Sequence, residues 1–432
     1  MDLLPCGHAA LAGSSRMCAH LIGTDGEDHV RILTGRELQS DLCCRACDQA
    51  AQAGEQINLL VACEGCVARC TDDDWWSVVA WRGTPGIADR PEPFDAIVVP
   101  VSLPVPVMDI APVTAEHDSV WLILAEGGQI GRFGANRGDW DVLAQSTVPE
   151  EAGCEAWAGH RPRQRLHASA DGRYAAVVND FGRRGQVLDL VAGKVTLTLD
   201  GGGYHCETVP FSLAFVEHRG HTLIIHRTAW NRLDVSDAAS GQLITARQPS
   251  AYRQGEPTPE HYLDYFHGGL HVSPGGHRLA DDGWVWSPVG MPTVVDIRSW
   301  LDDNVWESED GQSRHQLCQR AYHWNAPMCW LDDERVAVSG IGGDDEAMLA
   351  GVRIFNAVTG TEMTAFAGPT GAMFADPARL YAAAPGGLEL WDPVTGQRTG
   401  TVEGFVPTHH HIGAGELASV DGGMLRRWRT RS

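Results

Sequence analysis

The chain has 432 residues, of which 43% are hydrophobic and 21% charged, and it carries a formal net charge of −23. That length and balance are ordinary for a globular protein of two or three units with a sizeable core. So acidic a surface repels phosphate backbones and anionic membranes, which argues against a nucleic-acid or membrane ligand.

The first twelve residues lack a basic start, and their short apolar stretch is broken by Pro5, Cys6 and His8, so no signal peptide is read there. No stretch approaches the roughly 18 apolar residues of a membrane span. A cytoplasmic protein is expected. In that reducing compartment, clustered cysteines point to metal ligands and not to disulfides.

Eight of the twelve cysteines fall before residue 71: Cys6, Cys18, Cys43, Cys44, Cys47, Cys63, Cys66 and Cys70. Cys44 and Cys47 form one C-x2-C pair, and Cys63 and Cys66 form a second after fifteen intervening residues. Two side chains three apart in a tight knuckle can face one ion, and two such knuckles complete a tetrahedron. Cys6 with His8, and Cys18 with His20, repeat a C-x-H spacing. Residues two apart in an extended segment project to one side, so each pair can chelate. The expectation is two structural Zn2+ ions. The four pairs close either in sequential order, which is favoured, or interleaved, first with third and second with fourth. Cys43 is an alternative to Cys44, and Cys70 is a spare donor. A site closed by four protein ligands supports folding and not catalysis. Between Met1 and Trp75, twelve Asp and Glu stand against five Arg, so this module lacks the cations of a DNA-gripping finger. On ligand spacing the segment resembles treble-clef or RING-like zinc fingers, which implies a role in protein contacts. The C-x-H pairs depart from that pattern, and no ligase activity is carried over.

From about Trp75 onward, short Val/Ile/Leu-rich runs alternate with Gly-, Asp- and Pro-rich turns. One unit recurs: an apolar strand, Asp or Asn, three residues, then Gly. It stands as VLDLVAG (Asp189, Gly193), VSDAASG (Asp237, Gly241), IFNAVTG (Asn356, Gly360) and LWDPVTG (Asp392, Gly396). The acid or amide can bond the turn backbone, and Gly can take a positive φ. Asp296 in TVVDIRSW lacks the Gly and marks a degenerate copy. A second unit precedes the first: HASADGRYAAVVN (Ser169, Asp171, Gly172), with looser copies in VSPGGHRLA, WLDDERVAVSG and FADPARLYAAA. Each repeat then reads as four strands.

These repeats resemble WD40-like propellers, with Trp391-Asp392 the best match, and TGQ after that pair is similar to quinoprotein propeller repeats. The implied fold is all-β: a seven-bladed β-propeller, six or eight blades being alternatives, preceded by a small zinc-stabilised module. The module is assigned to residues 1–74 and the propeller to 75–432, with blades near 118–148, 165–200, 210–248, 268–300, 323–367, 370–403 and 406–430. The last blade is short by a strand. A strand from the 75–107 segment, SVVAW or AIVVPVSL, would close the ring and remove its exposed edges.

The candidates for chemistry are few. His409, His410 and His411 alternate sides on a strand and cannot readily share a metal. His261, His267 and His271, with Tyr262 and Tyr265, form a richer cluster for acid–base work. Cys154, Cys206, Cys318 and Cys329 are isolated and read as small hydrophobes. No nucleophile elbow, Walker loop or H-E-x-x-H is present. Two long connections, Pro249–Gly268 and Leu301–His323, are candidate binding surfaces. The expectation is a non-enzymatic interaction scaffold with an unidentified protein partner. The alternative is a hydrolase-like enzyme whose funnel gathers Asp, Glu, Asn or His from at least three blades, which leaves a small-molecule substrate open. A zinc-finger ubiquitin-type ligase is a third reading.

Overall fold

A computed structural model of the chain describes residues 4, 12–24, 29–33, 40–53, 55–70, 78–81, 86–87, 97–115, 118–151, 160–248, 252, 255, 257–345 and 348–430. The N-terminal part is one five-stranded sheet. Its strands are β1 (Ala12–Cys18), β2 (His29–Leu33), β3 (Ser40–Cys44), β4 (Leu59–Cys63) and β5 (Val78–Trp81), in the order β4-β1-β3-β2-β5. Helix α1 (Arg45–Gln52) follows β3 and α2 (Glu64–Cys70) follows β4. The sheet takes in β5, so it runs past the boundary expected at residue 74. Its core is small: Met17, Leu21, Val30, Ile32, Leu42 and Ala62 pack with five buried cysteines. Helices of seven and eight residues are marginal on propensity alone, and so little apolar surface needs another tether.

Seven further sheets follow among the described residues, antiparallel but for one added edge strand, and they form an all-β propeller. Their innermost strands are Val107–Val113, Arg163–Ala168, Leu213–His218, Phe266–Val272, Met328–Trp330, Ala372–Ala375 and His409–His411. Each packs beside the next from the first sheet to the sixth, and the last returns to the first. Tyr381, Leu388 and Leu390 join Leu417 and Trp428 in the core between the sixth and seventh sheets. Val99–Ser102 pairs antiparallel with Met424–Arg429 at the outer edge of the seventh sheet. Gly86–Ile87 adds in parallel to the outer edge of the sixth. Among the described residues no helix is long and apolar enough to cross a membrane.

The recurring turns have the expected chemistry. Asp189 Oδ1 accepts the Val191 and Ala192 amides at 2.9 Å, Asn356 Oδ1 accepts Val358 at 2.8 Å, and Asp392 Oδ1 accepts Val394 at 2.8 Å. Gly193, Gly241, Gly360 and Gly396 sit at φ between +63° and +72°. The second unit is the turn after each inner strand. Ser169 Oγ accepts the Tyr174 amide, Ser273 Oγ accepts Arg278, and Asp332 and Asp376 accept Arg335 and Arg379. The first sheet departs from expectation, because it begins at Val107 and not near 118. Its inner strand contains Pro112, which is tolerated where one side of a strand has no ladder partner. After Asp296, the missing Gly gives way to a helical turn over Ser299–Asp303 before His315–Gln316 rejoins the fourth sheet.

Candidate metal centre and central channel

Cys18 ends β1 and His20 lies in the turn after it. Cys44 ends β3, and Cys47 is the third residue of α1. β1 and β3 are parallel neighbours, with Met17 beside Leu42, so both strands deliver their C-terminal cysteines to one end of the sheet. The donor atoms of Cys18, His20, Cys44 and Cys47 all lie within 4.8 Å of one another. His20 Nδ1 is 3.2 Å from Cys47 Sγ and 3.8 Å from Cys44 Sγ. Ligands about 2.0–2.3 Å from a tetrahedral ion stand at such spacings. The Cys44 amide donates to Cys18 Sγ at 3.3 Å. Burial opposes ionisation of Cys44, but hydrogen bonds from the backbone and side chain of Cys47 and from Cys18 leave its thiol below the ordinary value. Burial and the bond with Cys44 push Cys47 up to about 12. An ion would expel that proton.

Cys43 is the alternative that fails. It faces the opposite side of β3, is fully buried, and has its thiol pushed up to about 12 by burial and by Cys18. It is part of the core.

This grouping corrects the expected order, because it joins the second C-x-H pair to the first C-x2-C pair. Cys63 and Cys66 do not complete the site of Cys44 and Cys47. β4 lies antiparallel on the other side of β1, and its C-terminal Cys63 stands opposite Ala12, at the far end from Cys18. Cys6 and His8 lie outside the described residues, as does Cys154. Cys70 is buried at the end of α2 and, among the described residues, forms no group of three with Cys63 and Cys66.

The propeller axis holds a cavity of about 450 Å3. Its polar wall is Asp109, Arg165, His167, His271, His409 and His410, from the first, second, fourth and seventh sheets; Phe215, Trp330, Met373 and Phe374 make the apolar wall. Asp109 is the one carboxylate among the described residues of the wall. It accepts the Leu166 amide at 2.8 Å and pairs with His409 Nε2 at 3.1 Å. Burial would raise its carboxyl, but His409, the Leu166 amide and Arg165 hold it below the ordinary range. Cys329 also lines the cavity, and burial pushes its thiol up to about 12, which leaves it a poor nucleophile.

The expected acid–base cluster is dispersed. His261 stacks on Trp306 at 4.4 Å, His267 is buried against Asp281 at 2.7 Å, and His271 faces the channel. Tyr265 is buried and donates to the Met291 carbonyl at 2.9 Å. The run at 409–411 also divides: His411 turns away and donates to the Val120 carbonyl at 3.1 Å. The two long connections meet each other, which spacing alone did not reveal. His261 Nδ1 pairs with Asp310 at 2.9 Å, and Arg247 bridges Asp234 and Glu309. Between them lies a pocket of about 340 Å3 lined by Trp230, Tyr252, His261, Tyr262, Trp306 and Glu309.

No protein-family model and no curated protein matches the sequence. Among solved structures, one chain of "Crystal Structure of Mitotic Checkpoint Complex" is similar, with a TM-score of 0.47 and 16% identity over 82% of this chain and 98% of that one.

Proposed function

We propose that this protein is a non-enzymatic interaction scaffold. The propeller presents a rigid acidic platform to a protein partner, and the N-terminal module, stapled by zinc at Cys18, His20, Cys44 and Cys47, supplies a second contact or an anchor. One observation carries the reading. The channel's single carboxylate among the described residues is already engaged by His409 and a backbone amide, so the described lining offers neither an unengaged carboxylate nor several that could cage a cation. The metal group points the same way, since three sulfurs and one imidazole fill a tetrahedron and leave no position for substrate. A net charge of −23 favours a partner with a basic face. Clustered thiols suit the cytoplasm.

Crosslinking and mass spectrometry from the native host tests this. The same protein should be recovered repeatedly, and its capture should weaken with added salt. Failure to recover any partner, together with turnover of a small molecule, would overturn the reading. The second reading is an enzyme working in the channel, favoured by imidazoles from three sheets around one cavity. It requires that His167→Gln abolish a measured turnover.

A further inference from the structure

We propose that a patch of exposed aromatic rings spanning the third to fifth sheets is the propeller's docking surface, and that it takes an extended protein segment carrying arginine or lysine beside apolar side chains. The proposal rests on the scaffold reading, and it adds where the partner sits and what chemistry it brings.

The rings share one end of the propeller. Within each sheet the chain reverses at every strand, so the turn between second and third strands opens at the same end as the connection to the next sheet. Trp230 and Trp286 lie in those turns of the third and fourth sheets. Tyr204 lies in the connection from the second sheet to the third, and Tyr322 and Trp324 lie in the one from the fourth to the fifth. The Tyr322 amide donates to the Pro288 carbonyl at 2.9 Å, which ties it to the turn of Trp286. Among the described residues four aromatic side chains are exposed: Tyr204, Tyr252, Trp286 and Tyr322. Three of them stand here, and Tyr252 lines the adjoining pocket that shares Trp230. Exposed rings so concentrated mark a contact surface, whereas scattered ones would need no explanation.

Packing beneath the patch holds it rigid. Tyr204, Phe266, Trp284 and Trp324 form a column, with successive centroids 5.7, 4.2 and 5.0 Å apart and successive planes tilted by 23°, 11° and 17°. Phe266 and Trp284 are buried. Both indoles of the column anchor on Thr208: Trp284 donates to its Oγ1 at 3.2 Å and Trp324 to its carbonyl at 3.1 Å. Trp286 stands upright beside the column, at 80° to Trp284 and 90° to Phe266. Tyr204 and Trp286 are 52% and 47% exposed, so each keeps ring surface open to a ligand. Rings already fixed in place lose little freedom on binding, and Trp and Tyr anchors of this kind dominate interface energetics. The indole N–H groups of Trp230 and Trp286 have no acceptor among the described residues. They suit the backbone carbonyls of an extended segment.

Charge then selects the segment. Asp264 is exposed just ahead of Phe266 and, among the described residues, has no cation in ion-pair reach. Arg183 and Arg232 stand at the same end, but Asp200 and Asp234 already hold them at 2.9 Å. The end therefore offers an unmatched carboxylate and no unmatched arginine from these two. A guanidinium or ammonium laid on an open ring is attracted by the negative face of the π system, and Asp264 supplies the counter-charge. The net charge of −23 draws such a segment in from a distance. An acidic segment would meet the rings but be repelled by both charges.

Fluorescence anisotropy of labelled peptides with the full-length chain tests this. Three probes share their leucine and proline positions and carry arginine, glutamine or glutamate between them. The arginine peptide should bind best, weaken with added salt, and bind about tenfold more weakly to Tyr204→Ala with Trp286→Ala. Asp264→Asn keeps every ring in place and should weaken binding about twofold to fivefold. Glu217→Gln makes the same charge change at an exposed site on the opposite end, where Leu213–His218 finishes, and should leave binding unchanged. Failure of the arginine peptide to bind, equal binding of all three peptides, or full binding by the ring variant overturns the proposal. So does equal loss in Asp264→Asn and Glu217→Gln, which would report bulk charge alone. Binding of cellohexaose but not of the arginine peptide would assign the rings to a neutral sugar and also overturns it. A partner captured equally by the unaltered chain and by the ring variant sinks this surface and leaves the scaffold reading standing. Peptide binding as stated, with no partner ever captured from the host and turnover of a small molecule, sinks the scaffold reading and leaves the surface standing.

Discussion

His167, His271 and His410 reach the channel from three sheets, and burial pushes their imidazoles down to about 3, about 4 and about 4. Arg165 adds to the effect at His167 and His271, while Asp109, Asp281 and Asp376 oppose it only in part. In the unfolded chain each ring titrates near 6.5. Their folded values lie below that, so as pH falls under about 6.5 the unfolded chain takes up protons that the folded chain refuses. Stability is therefore intact above about pH 6.5 and declines toward pH 4. At pH 5 the loss is on the order of 1–2 kcal/mol per imidazole. Urea unfolding at pH 7.5 and pH 5 should show this drop, and changing all three to Gln should remove most of it. An unchanged drop would mean that the acid sensitivity resides elsewhere, the metal thiolates included. These roles could not be read from residue type, because a histidine's neighbours across a propeller axis come from repeats dozens of residues apart.

The hairpin turns were legible because their determinants are local, and they differ in a testable way. Gly396 and Gly193 share φ +63°. A Cβ at Gly193 would meet nothing closer than the Leu143 carbonyl at 3.7 Å, whereas at Gly396 it would meet the Phe366 side chain at 2.8 Å. Gly193→Ala should therefore cost only the left-handed penalty, about 1–2 kcal/mol. Gly396→Ala should cost about 1–3 kcal/mol more, since the buried Phe366 must also shift. Equal urea midpoints for the two variants would refute the steric part. The elements that sequence did not reveal failed for physical reasons. Val107–Val113 is interrupted by Pro112, which masks its alternation. The ligand spacing singled out Cys18, His20, Cys44 and Cys47 among the candidate donors, and the fold brings these four together. Spacing did not show how the donors group, because grouping depends on β1 lying between β3 and β4, and chain distance does not encode that neighbour relation.

At the scale of the whole ring, closure rests on contacts between its first and last sheets. Ser119 donates to Glu416 Oε2 at 2.7 Å and in turn accepts the Trp121 indole N–H at 3.0 Å. Arg427 lies 3.3 Å from both oxygens of Glu416 and donates to Asn136 Oδ1 at 3.0 Å. Glu416 and Arg427 are both buried, at 5% and 7% exposure, and this decides the size of the effect. By contrast, the pair between Arg16 and Asp41 in the N-terminal sheet has an arginine half exposed to water and is worth at most about 1 kcal/mol. Glu416→Ala strands a guanidinium and a hydroxyl in the interior and should cost about 3–5 kcal/mol. Replacing both partners, Glu416→Leu with Arg427→Met, removes the stranded charge and should restore most of that loss, because a buried pair contributes little beyond an apolar one of its size. Guanidinium unfolding of the three proteins checks this. If the double variant is as unstable as Glu416→Ala, the junction depends on the specific hydrogen bonds to Ser119 and Asn136 and not on charge balance. If Glu416→Ala is neutral, the ring is held by its strand exchange at Val99–Ser102 and by the apolar contacts of Ile110, Trp121 and Leu425.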